Sequence, residues 1–119
     1  MSVTTLSRTP QRIDDVSVAE CAPTGVEPLS LDEATRRAAL LKALADPVRL
    51  QLLSIITGSP GQEACVCDMT ALVDVAQPTV SHHLRVLVAA GIVTRDRRGN
   101  WAWFRLDADQ LAAVRGFLA

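Results

Sequence analysis

Two cysteines separated by a single residue, Cys65 and Cys67, are the most reactive feature of the sequence; they lie in the stretch EACVCDM at 63–69. Thiolates are the ligands that soft metal and metalloid ions select. In a regular helix, side chains two positions apart point about 200° away from each other. One shared ion with bonds near 2.3 Å would need the sulfurs within ~4.6 Å. We therefore expect Cys65 at or before a helix start and Cys67 in the first turn, with both sulfurs reaching one ion only when that turn is loosened.

A third cysteine, Cys21, lies about nine residues before the first predicted helix. An extended segment of that length spans ~30 Å, so Cys21 could reach the pair on its own subunit or on a partner. Three other interpretations stay open. Cys21 could be a free thiol in a tail, the pair could be two small buried apolar side chains, or Cys21 could form a redox-sensitive disulfide with Cys65 or Cys67.

Charge is distributed unevenly in this chain of 119 residues, whose net charge is −1. The length supports one domain with a single core. Between residues 85 and 105, five arginines face one acid, Asp96, which leaves a local balance of five minus one, or +4. A basic patch of this kind is the electrostatic feature of nucleic-acid binding, whatever the net charge of the chain.

Several function classes are disfavoured by what the sequence lacks. No run approaches the roughly 18 apolar residues of a membrane span. The first residues contain no continuous apolar segment typical of a secretory signal, so we expect a cytoplasmic protein with no membrane partner. A small thiol-based reductase would need a Cys-x-x-Cys motif or a cysteine in a phosphate-binding loop. Neither motif is present, and we expect no enzymatic activity.

Polar composition and three prolines over residues 1–28 predict a flexible N-terminal arm that carries Cys21, followed by one domain over 29–119. Ser30 with Glu33 forms a capping-box pattern at the first helix start. Asp46 before Pro47 predicts the next start, and Gly91 predicts a helix end. The predicted helices run over 31–45, from 47 to Gly58, over about 67–73, over about 78–89 and, capped by Asp107, over 108–118. In the second helix, the predicted buried face comprises Leu50, Leu52, Leu53 and Ile56.

Two strand-like runs, 92–95 and 101–106, flank Arg97-Arg98-Gly99-Asn100 and predict a β-hairpin with these residues in its loop. A short helix, a turn, a second helix and a hairpin make the winged helix-turn-helix plan. The fold class is therefore mainly α with a β-hairpin wing.

The helix at 78–89 has the layout of a DNA recognition helix, with polar residues near its start. Adjacent histidines diverge by about 100° on a helix and cannot readily chelate one ion. We expect one of them to be packed and the other turned to DNA. The predicted DNA-binding residues are Gln77, Thr79, Ser81, His82, His83 and Arg85 on the helix, with Arg97 and Arg98 on the wing.

Four segments together resemble the ArsR/SmtB family of metal- and metalloid-responsive repressors. They are LKALADPVRLQLLSII (41–56), ACVCDMTALV (64–73), QPTVSHHLRVLVAAGIV (77–93) and RDRRGNWAWFRL (95–106). The resemblance implies a homodimer that binds double-stranded operator DNA without metal and releases it when metal binds. It also implies a dimer interface from the first and last helices, 31–45 and 108–118.

The resemblance further indicates the type of sensing site. Zinc, nickel and cobalt sensors of the family use His and carboxylate ligands on the last helix, where this chain offers only Asp109. Arsenic and cadmium sensors carry a Cys-Val-Cys before the recognition helix, which Cys65-Val66-Cys67 matches. Related cadmium sensors have two arm cysteines that join the other protomer's pair, and this arm has one. Three sulfurs at Cys21, Cys65 and Cys67 therefore favour As(III) or Sb(III) as inducer. Cd(II), Pb(II), Zn(II) and thiol oxidation are the alternatives.

Overall fold

The computed structural model describes residues 24–117, so Cys21, Leu118 and most of the predicted arm lie outside it. None of the helices between residues 24 and 117 is long and apolar enough to cross a membrane. The described helices are α1 (Leu31–Leu44), α2 (Pro47–Gly58), α3 (Val66–Leu72), α4 (Gln77–Ala89) and α5 (Ala108–Gly116), with a 3-10 turn at Pro60–Gln62. The strands are β1 (Glu63–Cys65), β2 (Val93–Arg98) and β3 (Trp101–Leu106).

Side-chain caps fix the starts of three helices. Ser30 Oγ accepts a hydrogen bond from the Glu33 amide at 3.1 Å at the start of α1. The Asp46 carboxylate accepts from the amides of Val48 and Arg49 at the start of α2. Asp107 accepts from the Gln110 amide at the start of α5. Each cap satisfies backbone donors that the first helical turn leaves without a partner. The three predicted caps are confirmed.

Helix α4 ends in a Schellman motif at Gly91, as its sequence predicts. Gly91 has φ +77°, a left-handed conformation that favours glycine. The Ile92 amide donates to the Leu87 carbonyl at 3.0 Å, and the Gly91 amide donates to the Val88 carbonyl at 2.9 Å. This end fixes the direction in which the chain leaves α4 and enters β2.

The wing is the predicted antiparallel hairpin of β2 and β3, but its loop is shorter than expected. Arg98 pairs with Trp101, so the loop contains only Gly99 and Asn100. The placement of Arg97 and Arg98 in the loop was therefore wrong, since both residues belong to β2. Gly99 has φ +62° at the first loop position, where a type II′ turn needs a positive φ. A two-residue turn of this kind lets the strands pair up to Arg98.

Strand β1 is an element that sequence periodicity did not predict. It pairs antiparallel with β3 and makes a three-stranded sheet of order β1-β3-β2. In its register, Glu63 lies opposite Arg105 and Cys65 lies opposite Trp103. The strand therefore attaches the cysteine pair directly to the wing.

The core is aliphatic and lies between the helices and one face of the sheet. Leu50 was expected on the buried face of α2, but it is 52% exposed. The buried face of α2 comprises Leu52, Leu53 and Ile56 and does not extend to Leu50. Helices α3 and α4 and the wing form a winged helix-turn-helix around this core. Its fully buried side chains include Leu52, Ile56, Met69, Val80, Leu84, Leu87, Ile92 and Val93.

Candidate thiol site and nucleic-acid interface

Cys65 and Cys67 lie at the junction of β1 and α3. Cys65 is the last residue of β1 and the N-cap of α3, with an extended backbone at φ −83° and ψ 146°. Cys67 lies in the first helical turn, and the two Sγ atoms are 2.9 Å apart. The expected positions are confirmed. The expectation that the turn must first be loosened was wrong, because the extended Cys65 does not follow the helical spacing that would separate the sulfurs.

The two thiols differ in access. Cys65 is 3% exposed, whereas Cys67 is half-buried and its Sγ lies 3.9 Å from Oδ1 of Asp68. The hydrogen bond with Cys65, followed by burial, raises the pKa of the Cys67 thiol. The Cys67 thiol therefore gives up its proton less readily than an ordinary cysteine, and a ligand that binds its thiolate must displace that proton. Such a ligand would meet Cys67 first.

Two sulfurs are the full set of thiol ligands between residues 24 and 117. In that range, no group of three or more His, Cys, Asp and Glu side chains is placed to hold a metal ion. Cys21, the predicted third ligand, lies outside the described residues, and its role stays a prediction.

The start of α4 presents a group of polar side chains. Gln77, Thr79, His82 and Arg85 are exposed, and Ser81 is half-buried. No side chain caps the amino end of α4, where Ala76 is the N-cap residue. Backbone N–H groups at a helix start attract anions such as phosphates. The structure thus brings five of the predicted DNA-binding residues to one helix, four of them in its first two turns and Arg85 in its third.

His83 is separated from this exposed group and packs against the start of α2. Its side chain is 14% exposed, and its Nε2 lies 3.9 Å from Oδ2 of Asp46. Its Nδ1 lies 3.1 Å from Nη1 of Arg49, whose Nε donates to the Ala43 carbonyl. The expectation that one of the two histidines is packed is confirmed, and the packed one is His83.

The two predicted wing arginines have different surroundings. Arg97 is exposed, and its Nε donates to the carbonyl of Gly99 at 3.3 Å. Arg98 is half-buried and forms ion pairs with Glu63 and Asp96. Arg97 is therefore accessible at the wing, while the charge of Arg98 is already engaged by carboxylates.

Arg95 is a further candidate for a DNA contact. It belongs to the basic cluster between residues 85 and 105 but is not among the residues predicted to bind DNA. With Arg85 it lines a cavity of about 610 Å³ between α4 and the wing. Neither guanidinium has a hydrogen-bond acceptor within residues 24–117. The alternation of side chains along a strand could have identified Arg95, because residues 95 and 97 share one face of β2 whereas residue 98 lies on the other.

Comparison with known proteins places this geometry among bacterial regulators. The family model described as "Bacterial regulatory protein, arsR family" matches residues 46–95. The chain is 33% identical over 78 residues to the arsenical resistance operon repressor of Bacillus subtilis, which covers 66% of this chain and 70% of that protein. It is 38% identical over 96 residues to the repressor SmtB of Mycobacterium tuberculosis, covering 81% of this chain and 68% of that protein.

A third relative, the SmtB homolog of Synechocystis, is 41% identical over 80 residues, which cover 67% of this chain and 58% of that protein. Among solved structures, a possible transcriptional regulator for arsenical resistance has a TM-score of 0.61 at 32% identity, covering 67% of this chain and 80% of that chain. NolR from Sinorhizobium fredii has a TM-score of 0.63 at 28% identity, and the match covers 78% of this chain and 93% of that chain.

Proposed function

The chain belongs to the arsR family of bacterial transcriptional regulators, and we propose that it is a dimeric repressor released from operator DNA by As(III) or Sb(III). Cys65 and Cys67 would hold the metalloid, with Cys21 as third thiolate. The observation that carries the proposal is the 2.9 Å separation of the two sulfurs at the start of α3. Relatives named as repressors of arsenical resistance operons support the same inducer class.

The DNA-binding part of the proposal rests on exposure and free charge. Gln77, Thr79 and His82 are exposed at the start of α4, where they would reach base edges or phosphates. Arg85 and Arg95 flank the cavity between α4 and the wing, and both can pair with phosphates. Helix α4 would thus read the bases directly, and both α4 and the wing would contact the phosphate backbone of the DNA.

The two sites are joined by packed side chains. Helix α3 contributes the fully buried Met69 to the same core as Val80 and Leu84 of α4. Recruitment of Cys21 as a third ligand would pull on the first turn of α3 through Cys67 and would therefore shift the helix that contacts α4. A hundredfold loss of DNA affinity needs about 2.7 kcal/mol of coupling, which is a usual allosteric magnitude.

The test is a titration of the full chain with a duplex that the protein selects from random sequence, followed by fluorescence anisotropy. We expect arsenite or antimonite to weaken DNA binding of the wild type, and Cys65→Ser or Cys67→Ser to abolish this response. Asp68→Asn is the matched control, since a three-sulfur site does not use its carboxylate. Cys21→Ser tests the third ligand.

Two results would contradict the proposal. One is a wild-type DNA affinity that stays the same with and without the metalloid. The other is an arsenite affinity that is equal with and without DNA, because coupling between two binding sites must be reciprocal. The same titration with Cd(II), Pb(II), Zn(II) and peroxide separates the alternative inducers, since each predicts its own dependence on the three cysteines.

A further inference from the structure

One face of the sheet brings the thiol site and the wing together. Residues opposite each other on neighbouring antiparallel strands share a face, with Cβ atoms about 5 Å apart. Cys65 of β1 therefore shares a face with Trp103 of β3, and Glu63 shares it with Arg105. Arg98 of β2 reaches the same face, where its guanidinium lies over the Trp103 ring at 4.7 Å from the centroid.

The Glu63 carboxylate is the centre of this cluster. Its two oxygens accept from Nη2 and Nη1 of Arg98 at 2.6 and 3.1 Å. Its Oε1 also accepts from Nη2 and Nε of Arg105 at 3.2 and 3.3 Å. The side chain is 21% exposed, so solvent screens these pairs less than it screens open surface pairs. Bidentate carboxylate–guanidinium pairs are among the strongest and most directional polar contacts.

We propose that Glu63 is a positioning residue that transmits the ligand state of the cysteine pair to the wing. This inference rests on the proposed function and concerns the regulation of the same site. Strand β1 is only three residues long, and Cys65 is both its last residue and the N-cap of α3. A backbone change at Cys65 therefore alters both the start of α3 and the pairing of β1 with β3. Glu63 lies two residues before Cys65 on the same strand. A change in the pairing of β1 with β3 would therefore alter the hydrogen bonds between Glu63 and Arg98.

This route is distinct from the contact between α3 and α4. The core contact would move the recognition helix, whereas the Glu63 contact sets the orientation of the wing strand that ends at Arg98. Release of Arg98 from Glu63 removes the ion pair that links β1 to β2 and loosens the position of the wing strand. Both routes begin at the same two sulfurs and end at different DNA-contacting elements.

The experiment measures a ratio, the DNA dissociation constant with antimonite divided by that without it. We expect Glu63→Gln to reduce this ratio to about one third of its wild-type value or less, within the usual range of allosteric factors. Antimonite affinity in the absence of DNA should stay unchanged, because the sulfurs are retained.

Glu33→Gln is the matched control. Glu33 also binds two arginines, Arg36 and Arg37, but it lies on α1 away from the thiols and the wing. A purely structural role of Glu63 would lower stability in both variants and leave the ratio at its wild-type value in both. Should Glu63→Gln not fold, Glu63→Asp keeps the charge, withdraws the carboxylate by one methylene and should show the same fall in the ratio.

A second readout needs no DNA. In Trp101→Phe, Trp103 is the remaining tryptophan of the chain. Its emission maximum should shift on addition of antimonite, because Arg98 leaves the ring, and the shift should be smaller when Glu63→Gln is added. A wild-type ratio of one contradicts the proposed function itself. A large wild-type ratio that Glu63→Gln leaves intact, or an emission maximum that does not move, overturns only the role of Glu63.

Discussion

At the scale of single residues, the arginines of the basic cluster divide by the partners they already have. Arg98 and Arg105 both donate hydrogen bonds to Glu63. These bonds, the larger effect coming from Arg98, lower the pKa of the Glu63 carboxyl to about 2, although burial acts in the opposite direction. Arg85 and Arg95 have no carboxylate partner within residues 24–117. A guanidinium without a carboxylate gains more from a phosphate, because no existing ion pair must be broken. The free arginines are therefore the stronger candidates for backbone contacts.

Arg85→Ala is expected to weaken binding to all duplexes by a similar factor. Loss of one phosphate contact should lower the slope of log affinity against log salt concentration by about one for each chain bound. The measurement is anisotropy over a series of salt concentrations. Lys42→Ala is the matched control, since it removes one exposed positive charge from α1 without touching α4 or the wing. An unchanged slope for Arg85→Ala would exclude it as a phosphate contact.

At the scale of elements, the end of α4 depends on one backbone conformation and one neighbouring helix. The Gln110 side chain of α5 donates from Nε2 to the carbonyl of Ala90 at 3.1 Å. A Cβ on Gly91 would lie 3.2 Å from the same nitrogen, besides being strained at φ +77°. The recognition helix is thus held at its end by a contact from the last helix of the domain.

Gly91→Ala should lower the free energy of unfolding by about 1–2 kcal/mol, which is the cost of a left-handed conformation for an alanine. Urea unfolding at one fixed protein concentration measures it. Gly58→Ala is the control, because Gly58 ends α2 with ordinary φ and no atom within 4 Å of the added Cβ. That variant should gain up to about 1 kcal/mol, since alanine is the better helix former. Equal effects at the two positions would show that the φ of Gly91 is not what matters.

Helix α1 offers a pH-dependent ion pair away from the thiols. Hydrogen bonds from Arg36 and then Arg37 lower the pKa of Glu33 from 4.5 to about 2. A carboxyl whose pKa is lowered on folding stabilises the fold fully above its unfolded value, and this contribution is lost as pH falls from about 4.5 to 2. The difference in unfolding free energy between the wild type and Glu33→Gln should be constant above about pH 5.5, decrease as pH falls and vanish only below about pH 2. A difference independent of pH over that range would contradict the pairing.

Capping residues and glycines predicted the helix boundaries because their effects are local. Ser30, Asp46, Gly91 and Asp107 each act within a few residues of their own position, so the sequence alone identified the elements they limit. Strand β1 could not be predicted in this way. Three residues are too few to show alternation, and the strand exists because β3 lies beside it. The closeness of the two sulfurs was missed for the same reason, since it follows from the extended backbone that β1 imposes on Cys65.

At the scale of the whole molecule, apolar side chains remain exposed around α1. Val26 is 77% exposed, Leu29 is 47% exposed and Leu31 is 80% exposed. Leu41 on the same helix is 38% exposed. Large exposed apolar side chains that cluster on a protein surface are typical of interaction sites. Its position on the first helix agrees with the dimer interface that family resemblance implies, and two reading heads would then bind symmetric half-sites on DNA.

Leu31→Glu is therefore expected to weaken the dimer while leaving the fold of each chain intact. The side chain is 80% exposed, so its replacement creates no cavity, and a carboxylate in the first turn suits the positive end of α1. Sedimentation over a series of protein concentrations should show the monomer persisting to concentrations at least about tenfold higher than for the wild type, equivalent to 1.4 kcal/mol. Leu72→Glu is the control, because Leu72 is 68% exposed but lies on α3.

DNA affinity of Leu31→Glu should fall at low protein concentration and recover at high concentration, since the reading surface on α4 is unchanged. If Leu31→Glu dimerises as the wild type does while Leu72→Glu does not, the dimer forms through the other side of the molecule.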